Sequence, residues 1–443
     1  MAAQARTVVT GRNVAMVLGL IALLFLATVL IGVPVAFGMG FAGATWILFF
    51  QGMEPALLVR RFCNALDSFP LLSIPLFIIL GVLADRARML PHLVTWLRMV
   101  FGWMKGGMAY INVVAAMLFS GISGTAVSDI ASLGRILISL MTRAGYPAAY
   151  AAALTAATSI LGPIIPPGVI MIIYALAVGN ASIGALFAAA MVPGLVMGVG
   201  FLIMAWNTTR KFNYGMRMPR PSRDVFLRQT VRVIPLLVLP AIIVGGIFSG
   251  LFTVTESAAA GVGYTLFIGM FTTPRLKLSD VYDAMVYSAV ISSVAGLFIS
   301  VGAIISWILT FNQVTQNLAE FLIGLTTDPT MFMLIVAGAL LVCGMFIDCV
   351  PITIALAPIL APIARHYGVP DIQFATVFMV ASLIGLVTPP AGIILFMTSS
   401  ISAVKVEALS AAVFPFVIWM AAVVVLMIFF PALTLWLPAY LGF

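Results

Sequence analysis

Apolar runs long enough to cross a bilayer follow one another along almost the whole chain, separated by short polar joints. A helical span needs about 20 apolar residues. On that measure the pattern predicts spans at 14–31, 34–50 and 68–86, then a short amphipathic helix at 91–105 carrying Arg98 and Lys105. The next apolar stretch, 107–143, is too long for one span and is interrupted by Ser120-Gly-Ile-Ser-Gly-Thr125. Runs at 148–179 and 183–206 complete the first half. The second half predicts 233–249, 252–272 and 284–309, an amphipathic 311–327, an interrupted 330–365, then 371–403 and 409–438. None of these runs alternates with a period of two, and tyrosines are few. They therefore read as helices and not as strands of an outer-membrane barrel.

Composition agrees. Of 443 residues, 63% are hydrophobic and 8% charged, whereas a soluble domain carries about 25% charged residues. The solvent for so much apolar surface is lipid. The net charge of +8 does not point to nucleic acid, because the Lys and Arg fall at the joints, where they set orientation. Cys63, Cys343 and Cys349 fit no disulfide framework and no zinc spacing. The only histidines, His92 and His366, leave no basis for a His-built metal site. Residues 1–13, with Arg6 and Arg12, run into the first apolar stretch without a small-residue cleavage signature, so the reading is a first span and not a cleaved signal. The single long polar connection, 207–232, reads as a hinge between halves.

Each interrupted segment could be one kinked span, or a re-entrant hairpin whose two arms meet at mid-membrane. Charge decides between them. With two hairpins, Arg86, Arg88, Arg98, Lys105, Arg143, Arg210, Lys211, Arg217, Arg220, Arg223, Arg228, Arg275, Lys277 and Lys405 all fall on one face. The other face keeps Arg6, Arg12, Arg60, Arg61, Arg365 and His366. The basic face is then the cytoplasm and both termini are periplasmic. Treating the first hairpin as a full span scatters the basic joints over both sides.

The halves repeat. Shifting the numbering by 223 lays Gly121 on Gly344, Gly145 on Gly368, Pro147 on Pro370, Ser159 on Ser382, Gly162 on Gly385, and Pro166-Pro167 on Pro389-Pro390. Five crossings per half make the second copy inverted. Inverted repeats with discontinuous helices mark secondary transporters with a midplane site. Two consecutive prolines remove two backbone donors and leave carbonyls without helical partners. In hydrocarbon each such group costs several kcal/mol unless a cavity or an ion meets it. Exposed carbonyl ends suit Na⁺, and the restarted half-helix N-termini suit an anion. The alternative is a plain proline kink repaired by a neighbouring helix.

The first tip is Gly121-Ile-Ser-Gly-Thr-Ala-Val-Ser-Asp129, and the second is Gly344-Met-Phe-Ile-Asp-Cys-Val-Pro-Ile352. Ser123 and Thr125 offer oxygens, and Thr125 pairs by the shift with Asp348. An acid between apolar arms needs a cation, and Na⁺ or a proton is the natural partner. Either acid could instead cap the following arm, a reading that weighs more for Asp129, which follows Ser128. Arg135 could attract a carboxylate, but snorkelling or local pairing is the simpler role.

The ordered set Gly32-Val-Pro-Val-Ala36, Ser73-Ile-Pro-Leu-Phe77, Ser120-Gly-Ile-Ser-Gly-Thr-Ala126, Gly162-Pro-Ile-Ile-Pro-Pro167, Thr253-Val-Thr-Glu-Ser-Ala-Ala259, Asp348-Cys-Val-Pro351 and Thr388-Pro-Pro390 resembles the large membrane subunit of tripartite ATP-independent periplasmic (TRAP) transporters over essentially the whole chain. The resemblance implies an all-α polytopic elevator transporter that drives uptake of an organic acid with sodium. It implies a periplasmic binding protein that delivers the acid and a separate four-helix membrane subunit that completes the scaffold. It also implies two sodium sites, one resembling Ser123, Thr125, Gly162, Ile165 and Pro167, the other Asp348, Gly385, Thr388 and Pro390. The acid would lie between them, near Ser123, Ser159, Gly168 and Ser382. Gly168 stands where the family often has Ser, and Arg135 where a small residue is common. The moving domain would be 107–179 and 330–403, and the scaffold 1–106, 180–329 and 404–443.

Three rivals stand beside this reading. One is a stand-alone symporter of the wider ion-transporter superfamily. A second is an intramembrane serine protease, suggested by Gly121-Ile-Ser-Gly124, but it lacks a base near Ser123 because both histidines fall at membrane edges. A channel is the third, and nothing resembles a filter or a charge ring.

Overall fold

The computed structural model describes residues 11–87, 89–179, 181–272 and 276–443. Arg6, Arg88 and Arg275 of the charge count lie outside the described residues, as does the side chain of Arg12. The described residues form helices and no strands.

The chain begins with α1 (Gly11–Leu30), α2 (Val35–Thr45, extended by the π turn Trp46–Phe50), α3 (Pro55–Leu66) and α4 (Ser73–Arg86). Then come α5 (Met89–Phe101), α6 (Gly107–Ser123), the single turn α7 (Ala126–Asp129) and α8 (Arg135–Arg143). The first broken element is α9 (Ala148–Ser159), α10 (Leu161–Ile164) and α11 (Val169–Val178). Long α12 (Ile183–Phe212) and α13 (Arg223–Phe248) lead to α14 (Val254–Phe267), α15 (Leu278–Phe311) and α16 (Val314–Leu325). The second hairpin is α17 (Pro329–Phe346) and α18 (Cys349–His366), and the second broken element is α19 (Asp371–Gly385) and α20 (Ile393–Ser402). The chain closes with α21 (Val406–Phe429) and α22 (Ala432–Leu441).

Among the described residues, seven helices are long and apolar enough to cross a membrane. Ala148–Ile164 and Val169–Val178, bent by 46° where they meet, make an eighth if they form one broken span.

Four expectations are corrected. The run 409–438 is two helices, because Pro431 removes a donor and α22 restarts after it. Residues 55–66, given no element by the pattern, form the amphipathic α3, which Pro55 opens at a position where its missing N–H costs nothing. The polar connection 207–232 shrinks to 213–222. α12 carries on to Phe212, with Arg210 and Lys211 in its last turn against the negative helix end. The arm expected at 91–105 stops at Phe101, where the Gly102–Gly106 corner turns the chain into α6; Gly106 has φ +82°.

Both interrupted segments fold back so that their ends meet. Met218 N–H donates to Gly102 O (2.9 Å), and Met216 N–H to Ala144 O (3.2 Å). One short loop therefore touches the chain just before α6 and just after α8. At the second hairpin the Tyr367 hydroxyl donates to Thr326 O (2.9 Å), and the Tyr367 ring stacks on Phe332 at 4.4 Å.

The first hairpin is tied to its broken helix by a polar residue with no route to water. Asn112 on α6 is fully buried; its Nδ2 donates to Thr155 Oγ1 (2.7 Å), and its Oδ1 accepts from Thr158 Oγ1 (3.0 Å). Such bonds are the adhesive between helices where lipid supplies no hydrophobic drive. Gln373 on α19 plays the same part against α21, donating to Met427 O (3.0 Å).

Candidate functional site

The two tips converge. A cavity of about 260 Å³ is lined by Ser123, Gly124, Thr125 and Ser128 of the first tip and by Asp348 and Cys349 of the second. A larger recess of about 700 Å³ opens off the same place, and among the described residues its only polar lining residues are Thr125 and Asp348. These are the two residues that the 223-place shift pairs.

The first tip is built around a short reversal. α6 ends at Gly124, whose φ of +64° suits glycine. A Cβ there would also strike the Pro167 carbonyl oxygen. Gly124 O in turn accepts from Val169 N–H (3.2 Å), so the tip is hydrogen-bonded to the restart of the broken helix. Thr125 caps α7, its side chain accepting from Ser128 N–H (3.3 Å).

Asp129 is therefore not the cap that the sequence favoured. Thr125 takes that role, and the Asp129 side chain turns inward, 3% exposed. Its Oδ1 accepts from Ser123 Oγ, and its Oδ2 has no hydrogen-bond partner among the described residues. A Cβ built on Gly162 would collide with that Oδ2 and lie 3.3 Å from the Thr125 carbonyl carbon. Ser123, Thr125, Asp129, Gly162 and Pro167 thus form one cluster at the first break. Sequence reasoning had the residue in view but assigned it to the wrong job. The available signal was an acid in an otherwise apolar arm, whose nearest basic residue, Arg135, lies six residues further on. Ile165, the remaining member of the expected set, points its side chain toward Gly194 of α12.

The second break is built differently. Gly344 and Gly385 bring α17 and α19 into backbone contact; a Cβ on Gly344 would stand 2.5 Å from Ser382 O and 3.0 Å from Gly385 Cα. Ile394 N–H donates to Leu386 O (3.0 Å) across the break. Thr388 Oγ1 donates to Ile384 O (2.7 Å), which leaves lone pairs on the hydroxyl oxygen. Asp348 caps α18: its Oδ1 accepts from Val350 N–H (2.9 Å) and Cys349 Sγ (3.5 Å). Its Oδ2 makes no hydrogen bond among the described residues. The capping reading of Asp348 is thus correct for one oxygen. Pro166 and Pro167 are buried, whereas Pro389 is half-buried and Pro390 exposed. Both proline pairs have a cis bond.

Other expected residues stand back from the cavity. Ser159 and Ser382 are buried and donate to their own helices, at Ala156 O (2.8 Å) and Phe378 O (2.8 Å). Gly168 is packed where a Cβ would collide with Pro163 O. Arg135 is exposed and lines no part of the cavity. Ser123 donates to a carboxylate and not to an imidazole, and His366 ends α18, which begins beside Asp348. At 1.5 Å per residue, the length of that helix separates His366 from the tip.

Comparison with known proteins gives the arrangement a family. Residues 22–433 match the family model described as the tripartite ATP-independent periplasmic transporter, DctM component. The chain is 31% identical over 413 residues to the sialic acid TRAP transporter large permease protein SiaM of Vibrio cholerae, covering 93% of this chain and 96% of that one. It is 33% identical over 404 residues to the C4-dicarboxylate TRAP transporter large permease protein DctM of Pseudomonas aeruginosa, covering 91% and 94%. Among solved structures, the YdaH transporter of Alcanivorax borkumensis shares the fold at 14% identity, with TM-score 0.60 over 97% of this chain and 98% of that one. The relatives are transporter permeases and not enzymes, which sets the serine-protease reading aside. With seven apolar spans among the described residues and a match from the first helix to the last, this multi-pass inner-membrane chain belongs to the DctM-component family of tripartite ATP-independent periplasmic transporters, as a large membrane subunit.

Proposed function

We propose that the chain imports an organic acid by sodium symport, with the two hairpins and two broken helices moving as an elevator against the remaining spans. The observation that carries this reading is the shared cavity: Thr125 and Asp348, one from each tip, supply the only polar lining of the apolar recess among the described residues. Sodium would be held at the first break by Ser123, Thr125 and the backbone of Gly162, Ile165 and Pro167, joined by the free Oδ2 of Asp129. At the second it would be held by Asp348, Gly385, Thr388 and Pro390. Carbonyls freed where a helix unwinds are suited to Na⁺. An orphaned carboxylate oxygen in an apolar interior gains most from such a cation. The acid would occupy the tip cavity between the two cations, with Ser123 facing it and Ser159, Gly168 and Ser382 behind. The names of the relatives point to sialic acids or C4-dicarboxylates as substrate classes.

The inverted arrangement has geometric support. Arg86 at the end of α4 pairs with Asp280 (3.2 Å) and Asp283 (3.1 Å) at the start of α15, and α5 leads from there to the base of the first hairpin. The far end of α15 leads through α16 to the base of the second. α15 has 34 residues, and at 1.5 Å per residue it is roughly 50 Å long. These connections favour bases toward opposite ends of a membrane-length helix. The moving part would be 107–179 and 330–403. The partners would be a periplasmic binding protein and a small four-helix membrane subunit, in keeping with the tripartite family description.

The test is reconstitution of the chain with its small subunit and binding protein in liposomes. Uptake of radiolabelled sialic acid or succinate should need an inward sodium gradient and all three components. Uptake without the binding protein would favour a stand-alone symporter instead. Orientation is checked separately. Cys63 is exposed on α3. With Cys343 and Cys349 replaced by Ser, a membrane-impermeant maleimide should label Cys63 in intact cells. Ser222→Cys, in a chain with all three natural cysteines replaced by Ser, should react only after the inner membrane is opened. The reverse pattern would place both termini in the cytoplasm.

A further inference from the structure

Far from the tips, where the first hairpin begins, the structure holds a second polar recess that the transport reading does not use. A cavity of about 550 Å³ is lined by Lys105, Arg210, Arg217 and Arg220, with Trp103 and Trp206 among its walls. Arg210 lies over the Trp206 ring at 4.3 Å, and Arg220 over the Trp103 ring at 4.4 Å. Stacking of this kind fixes the guanidinium plane and leaves its N–H edge free to donate. None of the four cations makes a side-chain hydrogen bond or ion pair among the described residues, and no carboxylate lines the cavity there.

The recess is assembled from separate parts of the chain. The corner Gly102–Gly106 can approach α12 because Gly106 lacks the Cβ that would collide with Thr209. The 213–222 loop is held over it by the Met218 N–H to Gly102 O bond of 2.9 Å. Topology alone would put Lys and Arg on this face. It does not ask that four of them converge on one concave space without a counter-charge, where their mutual repulsion disfavours the fold. Planar N–H forks on aromatic walls match the oxygens of a phosphate. Two tryptophans at a helix-end corner are also the residues found at headgroup depth.

We infer that this recess binds a phosphate group, held by Arg210 and Arg220 as oriented forks and by Lys105 and Arg217 as point charges. The same chemistry is offered by an anionic phospholipid headgroup and by free phosphate, so the test has an arm for each. The full-length protein, stripped of lipid in neutral detergent, is titrated with phosphatidylglycerol, with inorganic phosphate or with diacylglycerol, and the thermal unfolding midpoint is followed. Phosphatidylglycerol or phosphate should raise the midpoint saturably, and diacylglycerol should not. Arg210→Gln/Arg220→Gln should raise the half-saturating concentration about tenfold or more. Arg223→Gln/Arg228→Gln, an equal loss of charge outside the recess, should leave it unchanged. A response to phosphatidylglycerol alone assigns the site to lipid, and a variant-sensitive response to inorganic phosphate assigns it to a soluble source. No response to either, an equal response to diacylglycerol, or equal losses in the two double variants would overturn the proposal. If the Gln pair does not remain monodisperse, Arg210→Lys/Arg220→Lys serves instead. It keeps the charge but loses the forks, and an unchanged half-saturating concentration there would also count against the site.

Discussion

Asp348→Ala is expected to abolish uptake at the sodium concentrations that serve the natural protein, with the sodium concentration for half-maximal transport rising by about tenfold to a hundredfold. Losing one partner of a fully buried ion pair costs about 3–5 kcal/mol. Asp348 is only half-buried, so its effect falls below that range, at about 1.4–2.7 kcal/mol, which is tenfold to a hundredfold. The substitution also removes the cap of α18, since Asp348 Oδ1 accepts from Val350 N–H at 2.9 Å. Loss of a cap costs about 1 kcal/mol and would lower stability without touching sodium. Asp348→Asn separates the two effects, because its amide oxygen can still cap but carries no charge. Both variants should show the raised sodium requirement, and only the alanine should unfold more easily. If Asp348→Asn transports with the sodium response of the natural protein, Asp348 is a cap and nothing more. Thr125, its partner by the repeat, should show a smaller effect when changed to alanine, because a hydroxyl oxygen is lost there and no charge.

The course of the chain through the membrane was largely legible because the physics that sets it is one-dimensional. Long apolar runs, basic joints and the 223-place repeat all act along the sequence. They located the interrupted segments that the structure shows folding back, the first held by Met216 and Met218, the second closed by Tyr367 on Thr326. The paired breaks were legible for the same reason, since two prolines in register cannot continue a helix. The amphipathic α3 was not, because 55–66 is too polar to read as a span and too short for its apolar face to stand out. The role of Asp129 was missed for a different reason. A Ser-Asp pair at the start of a helix has a strong local explanation as a cap. Only the tertiary structure shows that Thr125 caps first and turns Asp129 into the interior. The recess between Lys105 and Arg220 lay equally beyond a linear reading. Its cations were counted as topology signals, and nothing in their spacing says that three chain segments bring them together.

Gly162→Ala should disable the first ion site, although this exchange usually favours a helix by up to about 1 kcal/mol. Gly162 sits in α10, and its added methyl would collide with Asp129 Oδ2 and stand 3.1 Å from Asp129 Cγ. The same methyl would be 3.3 Å from the Thr125 carbonyl carbon. Backbone at a break cannot yield as a flexible side chain end can, so the carboxylate must move. Overpacking of this kind costs about 1–3 kcal/mol, and here it also takes the free oxygen away from the cluster. Uptake should fall at least about tenfold, an amount equal to roughly 1.4 kcal/mol. Asp129→Ala should produce a comparable loss by removing the oxygen outright. Gly162→Ala added to Asp129→Ala should then cost little more, because the methyl enters space that the carboxylate has left. Residues that share one contact couple in this way, and independent residues do not. The cycle is read from sodium-dependent uptake of the two single variants and the double variant, each checked for monodispersity. Additive losses would mean that Gly162 and Asp129 act separately, and Asp129 would then have no place at the first ion site.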